Sequence, residues 1–124
     1  MLPESLETID FWAFSSCTAL ESITLPGSLK TIGQEAFENC TSLKSITIPS
    51  GVTEIGYGPF FGCTALESIN AAAENGTYSS ENGVLLNKEK TVLIAYPAGK
   101  TDAAYAIPSS VVTINNDAFH GSQF

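Results

Sequence analysis

Cys17, Cys40, Cys63 and His120 are the side chains of this 124-residue sequence that could serve as a nucleophile, a redox pair or a soft metal site. Their spacing argues against all three roles. The cysteines lie 23 residues apart, which matches neither a C-x-x-C zinc or redox motif nor an even-numbered disulfide framework. His120 is the single histidine, so any Ser-His-Asp or Cys-His arrangement would have to use it. It falls in a variable turn position and reads as a surface residue. The carboxylates are scattered and show no metal-ligand spacing. The ten glycines form no phosphate-binding loop. No catalytic, metal-ligating or cofactor-binding residue is expected, and no cofactor. Asn39-Cys40-Thr41 and Asn75-Gly76-Thr77 satisfy the glycosylation sequon. The first sits beside a cysteine expected to be buried, and neither is expected to be used.

The even cysteine spacing has a simpler origin. Residues 30 to 50, "KTIGQEAFENCTSLKSITIPS", repeat "ETIDFWAFSSCTALESITLPG" 23 positions earlier and "TEIGYGPFFGCTALESINAAA" 23 positions later. Pro3, Pro26 and Pro49 keep this register, as do Ile9, Ile32 and Ile55, then Phe14, Phe37 and Phe60, and Leu20, Leu43 and Leu66. A partial fourth copy carries Pro108, Val111, Ile114, Ala118 and Phe119. A fixed period of this length means a solenoid with one supersecondary unit per turn. The expected units are repeats 3–25, 26–48 and 49–71, an expanded coil 72–107, and a partial repeat 108–124, all in one domain.

Within a unit, "LESITL" and "LKSITI" alternate as strands do, with Ile23 and Leu25 inward and Ser22 and Thr24 outward. Proline then stops the strand, because it has no N–H to donate. A second short extended segment follows ("SLKTI", "GVTEI"). The column Asp10, Gly33, Gly56 and Asn115 holds residue types that tolerate a left-handed backbone, so a tight corner is expected there. "EAFENC" should be a short helical or 3₁₀ turn with Ala and Phe inward, kept short by Pro59 in the third copy. Neighbouring coils at about one strand spacing, roughly 4.8 Å, turn each column into a ladder. Phe14, Phe37, Phe60 and Phe119 are expected to form the spine of the core. Parallel cysteines on such a ladder point the same way, which disfavours a disulfide, and Ser122 in the fourth copy fits a small packing residue. The expanded coil contains Asn75-Gly76 and Asn82-Gly83 turns. Its "GVLL" and "TVLIAYP" segments, flanking polar "NKEK", predict a β-hairpin with a four-residue loop. "LIAYP" and "YAIP" both run into proline, as the repeat strands do.

The pattern "IG..AF..C..L..I.LP", with the hairpin coil "NGVLLNKEKTVLIAYPAGKT", resembles the BspA-like, or treponemal-type, leucine-rich repeat family over nearly the whole chain. The resemblance implies a right-handed leucine-rich-repeat solenoid, mostly parallel β-strands with turns and short helical or 3₁₀ segments. It also implies an extracellular or cell-surface protein of bacterial origin that binds host or other cell-surface proteins. The family has no fixed site motif to carry over. The chain shows no signal peptide, capping repeat or completed final unit, so a piece of a longer array is expected, with self-association through uncapped ends among its possible contacts.

Composition narrows the partners. Thirteen acidic residues stand against five lysines and no arginine, a net charge of −8. Nucleic acid and anionic membrane are disfavoured, since both are bound through clustered Lys and Arg. No apolar run is long enough to cross a bilayer as a helix. One candidate protein-binding face is the outward strand column: Glu21, Ser22 and Thr24, then Lys44, Ser45 and Thr47, then Glu67, Ser68 and Asn70. These residues barely vary between copies, which equally describes plain solvated ladders. Less regular residues are Phe11 and Trp12 in the first turn, Tyr57 and Phe61 in the third, and the hairpin tip with Tyr78 nearby. Exposed aromatics make good contact anchors, and protruding loops often carry function. Two functions are therefore expected to compete: an adhesion or protein-interaction module, and a structural spacer within a larger surface protein.

Overall fold

The structure, a computed structural model, describes residues 2–122. The described residues form nine short strands and no helix. They are β1 (Thr8–Ile9), β2 (Thr31–Ile32), β3 (Ser45–Ile48), β4 (Glu54–Ile55), β5 (Ser68–Ala71), β6 (Tyr78–Glu81), β7 (Val84–Asn87), β8 (Val92–Ala95) and β9 (Thr113–Ile114). The 23-residue period is visible as register. Ile9 pairs with Ile32 and Ile32 with Ile55 in a parallel ladder β1-β2-β4. Ser45 pairs with Ser68 and Ile46 with Ile69 in a second parallel ladder, β3-β5. The second and third coils therefore each contribute two short strands, joined by prolines and turns.

The core lies between the ladders. Phe14, Phe37 and Phe60 stack with ring centroids 5.2 and 5.8 Å apart. Leu29, Ile32, Leu43, Ile48, Leu66 and Ile69 are fully buried around them. A single coil could not bury these side chains; its neighbours do. The first copy, at the end of the stack, departs from expectation. Residues 22–25 form no strand, although Leu25 is buried and Lys44 N–H still donates to Glu21 C=O at 3.2 Å.

"EAFENC" is not helical. It is a run of hydrogen-bonded turns, Ala36 N–H to Gly33 C=O, Glu38 to Glu35 and Cys40 to Phe37, at 3.1–3.3 Å. Helical bonds along the coil give way to bonds between coils. The N–H groups of Trp12, Phe14 and Ser16 donate to the carbonyls of Gln34, Ala36 and Glu38; those of Glu35, Phe37 and Asn39 donate to Tyr57, Pro59 and Phe61, all at 2.7–3.1 Å. This alternation places a left-handed residue at the third place of every other turn, as in type II turns. Those residues are Trp12, Glu35, Gly58 and Asp117, with φ of 51–60°, and Ser16, Asn39, Gly62 and Gly121.

The left-handed corner therefore lies two residues beyond the column Asp10, Gly33, Gly56 and Asn115, and the glycines of that column have a different cause. A Cβ on Gly33 would stand 2.5 Å from the backbone nitrogen of Phe11, and one on Gly56 would collide with the backbone nitrogen of Gln34. Here one coil lies directly on the backbone of the previous one.

The expanded coil interrupts the stack. β6 and β7 form a hairpin closed by Asn82-Gly83, both at positive φ, the geometry of a type I′ turn. β7 and β8 form the expected second hairpin, antiparallel with a register shift at Leu85/Leu86. Asn87 orders its loop by accepting from the N–H groups of Thr91 and Val92. β8 then pairs in parallel with β9 of the fourth copy. The aromatic spine is split accordingly: Phe119 does not continue the Phe60 stack but lies on Tyr96, at 5.0 Å, in a second cluster with Val84, Leu86, Leu93 and Ala118. "YAIP" forms no strand; Tyr105 packs on Tyr96 instead, at 5.2 Å. At the junction, the Ile55 N–H on the last strand of the first ladder ends on the hydroxyl of buried Tyr78, at 2.9 Å.

Two stability outcomes follow. Gly56→Ala forces a methyl into fixed backbone and should cost about 1–3 kcal/mol, whereas Gly27→Ala, with open space around it, should be near neutral in the same urea titration. Tyr78→Phe strands the Ile55 donor and should cost about 1–3 kcal/mol in that measurement.

Candidate functional site

The turns stack into an edge that carries three large exposed aromatic side chains. Phe11 is 58% exposed, Trp12 54% and Tyr57 49%. They lie at the two central places of the outer turns, Trp12 at the left-handed third place and Phe11 and Tyr57 just before it, where side chains point away from the core. Phe11 and Trp12 meet edge to face at 5.4 Å. The Trp12 indole N–H donates to Glu35 one coil on, at 2.6 Å. Tyr57 donates its hydroxyl proton to Asp117 of the fourth copy, at 3.1 Å. That bond, reinforced by the negative charge of Asp117 and then of Glu35, pushes the Tyr57 phenol above its ordinary pKa. The result is a continuous row along the turn edge: Phe11, Trp12, Glu35, Tyr57, Asp117. It alternates flat apolar rings with carboxylates.

His120 belongs to this edge. It is exposed, as its turn position implies, and its ring also stacks on Phe61 at 3.9 Å. The Phe61–His120 and Tyr57–Asp117 contacts both bridge the third and fourth copies across a cleft of about 550 Å³. Ile55, Tyr78, Ile94 and Ile114 are among its walls. Sequence reading singled out Tyr57 and Phe61 but paired neither with the fourth copy. Their partners are 60 and 59 residues away respectively, one whole expanded coil further along.

The strand-face candidates are solvent-facing but do not form a broad surface. Glu21, Ser22, Thr24, Lys44, Ser45, Thr47, Glu67 and Asn70 are exposed and Ser68 is half-buried. The ladder beneath them is two strands wide, because the β6-β7 hairpin closes its far edge: Ile69 N–H donates to Gly83 C=O and Ala71 N–H to the Ser80 hydroxyl. The hairpin tip, Lys88 to Thr91, is partly tied down, since Ser110 of the fourth copy donates to Lys90 C=O at 2.7 Å.

The cysteines stand in the expected ladder and are all free thiols. Each buried one donates its S–H to a carbonyl of the previous coil, Cys40 to Phe14 at 3.1 Å and Cys63 to Phe37 at 3.0 Å. Burial pushes the Cys63 thiol up to about 12 and raises Cys40 as well. Among the described residues no group of three His, Cys, Asp or Glu is placed to hold a metal ion. Asn75, in one of the two sequons, is fully buried: its amide donates to Pro49 and Val52 carbonyls and accepts from the N–H groups of Thr77 and Tyr78. It is a structural knot at the start of the expanded coil.

Parallel ladders at a 23-residue register, a ladder of leucine, isoleucine and phenylalanine between them, and turn edges joined coil to coil define a leucine-rich-repeat solenoid. The profile of the BspA type leucine rich repeat region matches residues 1–90 in six copies, and the chain belongs to that family. The solved structures similar to it are bacterial. A leucine rich cell surface protein of Faecalibacterium prausnitzii aligns with a TM-score of 0.82 at 30% identity, over 95% of this chain and 37% of that one. The pneumococcal vaccine antigen PcpA aligns with a TM-score of 0.71 at 31% identity, over 92% and 34%. A leucine-rich repeat protein of Eubacterium ventriosum aligns at 0.64 and 26% identity, over 94% and 43%. This chain thus spans from about a third to under half of the chains it resembles. No curated protein matches the sequence. No helix among the described residues is long and apolar enough to cross a membrane.

The thiols give a direct check on the ladder. In native protein at mild alkaline pH, partly exposed Cys17 should react with iodoacetamide, while Cys63, still a thiol below its raised pKa, and Cys40 should be protected until denaturant is added. Mass spectrometry of the alkylated peptides reads this order. Equal labelling of all three would contradict the stacked core.

Proposed function

We propose that this chain is a protein-interaction segment of a larger bacterial cell-surface protein, contacting host or other cell-surface proteins through the edge of its turns. The observation that carries the reading is the row of exposed Phe11, Trp12, Tyr57 and Asp117 with half-buried Glu35 between them. Large aromatic side chains left in water along one line are the usual anchors of a protein contact, and Trp12 and Tyr57 are each held by a hydrogen bond to a carboxylate of another copy. A row assembled from separate coils is pre-organised, so little ordering entropy is lost when a partner docks. Support for the cell-surface setting comes from the relatives, one of which is described as a cell surface protein and another as a vaccine antigen.

The strand face offers a weaker anchor set. Glu21, Ser22, Thr24, Lys44, Ser45, Thr47, Glu67, Ser68 and Asn70 are short polar or flexible charged side chains, under-represented among residues that dominate binding energy. The competing reading, a spacer that only holds another domain away from the cell, gains support from the regularity of that face. Association through the apolar groove at the first coil, lined by Leu2, Phe14, Leu20 and Ile23, would extend the array and is compatible with either role.

The readings separate in a binding assay with purified extracellular-matrix proteins on a sensor surface. The interaction reading expects saturable binding that Trp12→Ala and Tyr57→Ala each weaken by about 1–2 kcal/mol. Glu21→Lys with Glu67→Lys should leave the affinity unchanged, and melting temperature should not move for any of these exposed substitutions. Binding lost on reversal of the strand glutamates would transfer the site to the strand face. No saturable binding to any matrix protein would favour the spacer.

A further inference from the structure

The cleft between the third and fourth copies has a specific origin in the chain. The end of the expanded coil rebuilds a repeat. The N–H groups of Val112 and Thr113 donate to Thr91 C=O, as those of Lys30 and Thr31 donate to Glu7 C=O. Asn115 N–H donates to Leu93 C=O, as Gly33 N–H does to Ile9 C=O. Tyr96 N–H donates to Ala118 C=O, as Phe14 N–H does to Ala36 C=O. Leu93 therefore occupies the isoleucine column and Tyr96 the phenylalanine column. Only three positions separate these two, against five between Ile9 and Phe14. The corner is cut short by two residues, and the full corners on either side face each other across the gap.

The gap leaves backbone groups unmatched. In the regular coils the N–H of the left-handed residue reaches the next coil, and the carbonyl before it receives from the previous one, as in Trp12 N–H to Gln34 C=O and Glu35 N–H to Tyr57 C=O. Gly58 N–H and Asn116 C=O are the equivalent groups at the gap, both line it, and neither has a partner among the described residues. Asn115 shows the same vacancy. It stands in the column where Gly33 and Gly56 must be glycine to avoid the preceding backbone, and it carries a side chain because that backbone has been withdrawn. Asp117 has one carboxylate oxygen on the Tyr57 hydroxyl; no described group donates to the other. It is the single carboxylate among the lining residues, no lysine is among them, and the chain carries a net charge of −8.

We infer that this cleft is a binding site for a basic side chain, arginine or lysine, presented by a loop of a partner protein. The cationic head meets the free oxygen of Asp117 and the carbonyl of Asn116, a charge-assisted pair. The aliphatic stem lies along Ile55, Ile94 and Ile114, as long basic side chains do on apolar walls. The Tyr57 ring at the rim supplies an aromatic face that attracts a cation, while Phe61 is covered on one side by His120. Gly58 N–H is left to receive a carbonyl of the partner loop. The inference rests on the reading of the chain as a protein-interaction module and specifies what one of its sites takes.

The test is an NMR titration of the whole chain with N-acetyl-Gly-Arg-Gly-amide, taken to its solubility limit at matched ionic strength. The matching glutamine peptide serves as control. Saturable shifts of the Gly58, Asn116 and Asp117 amides with the arginine peptide are expected, and Asp117→Asn should weaken them about tenfold. Asparagine tolerates the left-handed backbone at this position, so the variant should stay folded, which its own spectrum reports. Ile114→Trp, at a half-exposed position on the wall, should abolish the shifts by filling the cleft. No saturable shift at these amides, equal shifts with the glutamine peptide, or indifference to Asp117→Asn would each overturn the assignment. Shifts confined to Phe11, Trp12 and Glu35 would also overturn it, while leaving the turn-edge reading of function intact. Failure of that broader reading would show instead as loss of all binding to whole matrix proteins.

Discussion

Contact between the backbones of successive coils is the constraint on which the rest of the molecule depends. Two-residue strands such as Thr8–Ile9 have too few hydrogen bonds to be stable alone. They persist because the turn that follows is also bonded, residue by residue, to the next turn. Strand ladder and turn ladder share one spacing, so the side chains between them must stack in columns. Phe14, Phe37 and Phe60 obey it, as do the leucines and the cysteines. The cysteine S–H bonds to the preceding coil's carbonyls are a direct product of this geometry, because each thiol lies under the turn whose carbonyl it meets.

The same constraint explains where residue types change. Glycine is required where a coil touches backbone, at Gly33 and Gly56, and is relaxed to asparagine at Asn115, where the expanded coil has cut its corner. Left-handed conformations fall where alternate N–H groups must point out of the coil. They are accepted by tryptophan, serine, glutamate and aspartate as well as by asparagine and glycine, because bonds on both sides hold the backbone there. The exposed aromatics lie at these positions or immediately before them. The core cannot admit side chains at these positions, and the row is free to serve contact with a partner.

Much of this was legible in the sequence. The period, the inward columns, the hairpin over "NKEK" and the packing role of the cysteines could be read from residue spacing, because a repeat reports the same environment several times. The β6-β7 hairpin was signalled by Asn82-Gly83, but its first strand, "YSSE", has no apolar alternation to mark it as a strand. The helical expectation for "EAFENC" failed because the short period favours bonds to neighbouring coils over bonds along the chain. The degenerate repeat at Thr91–Ala98 escaped notice because Tyr96 stands three residues after Leu93 instead of five, out of register with every other column. Without that alignment the cleft could not be foreseen.

The sequence alone determined that this is a solenoid of stacked coils with an acidic balance of charge and its cysteines in one repeated column, because those properties follow from composition and from local pattern repeated at a constant interval. The tertiary structure alone decided where the repetition fails and what the failure brings together. Tyr57 and Phe61 meet Asp117 and His120 only when a coil of different length is folded between them. The distance across that junction is set by how many residues the intervening corner spends, and no local pattern encodes it.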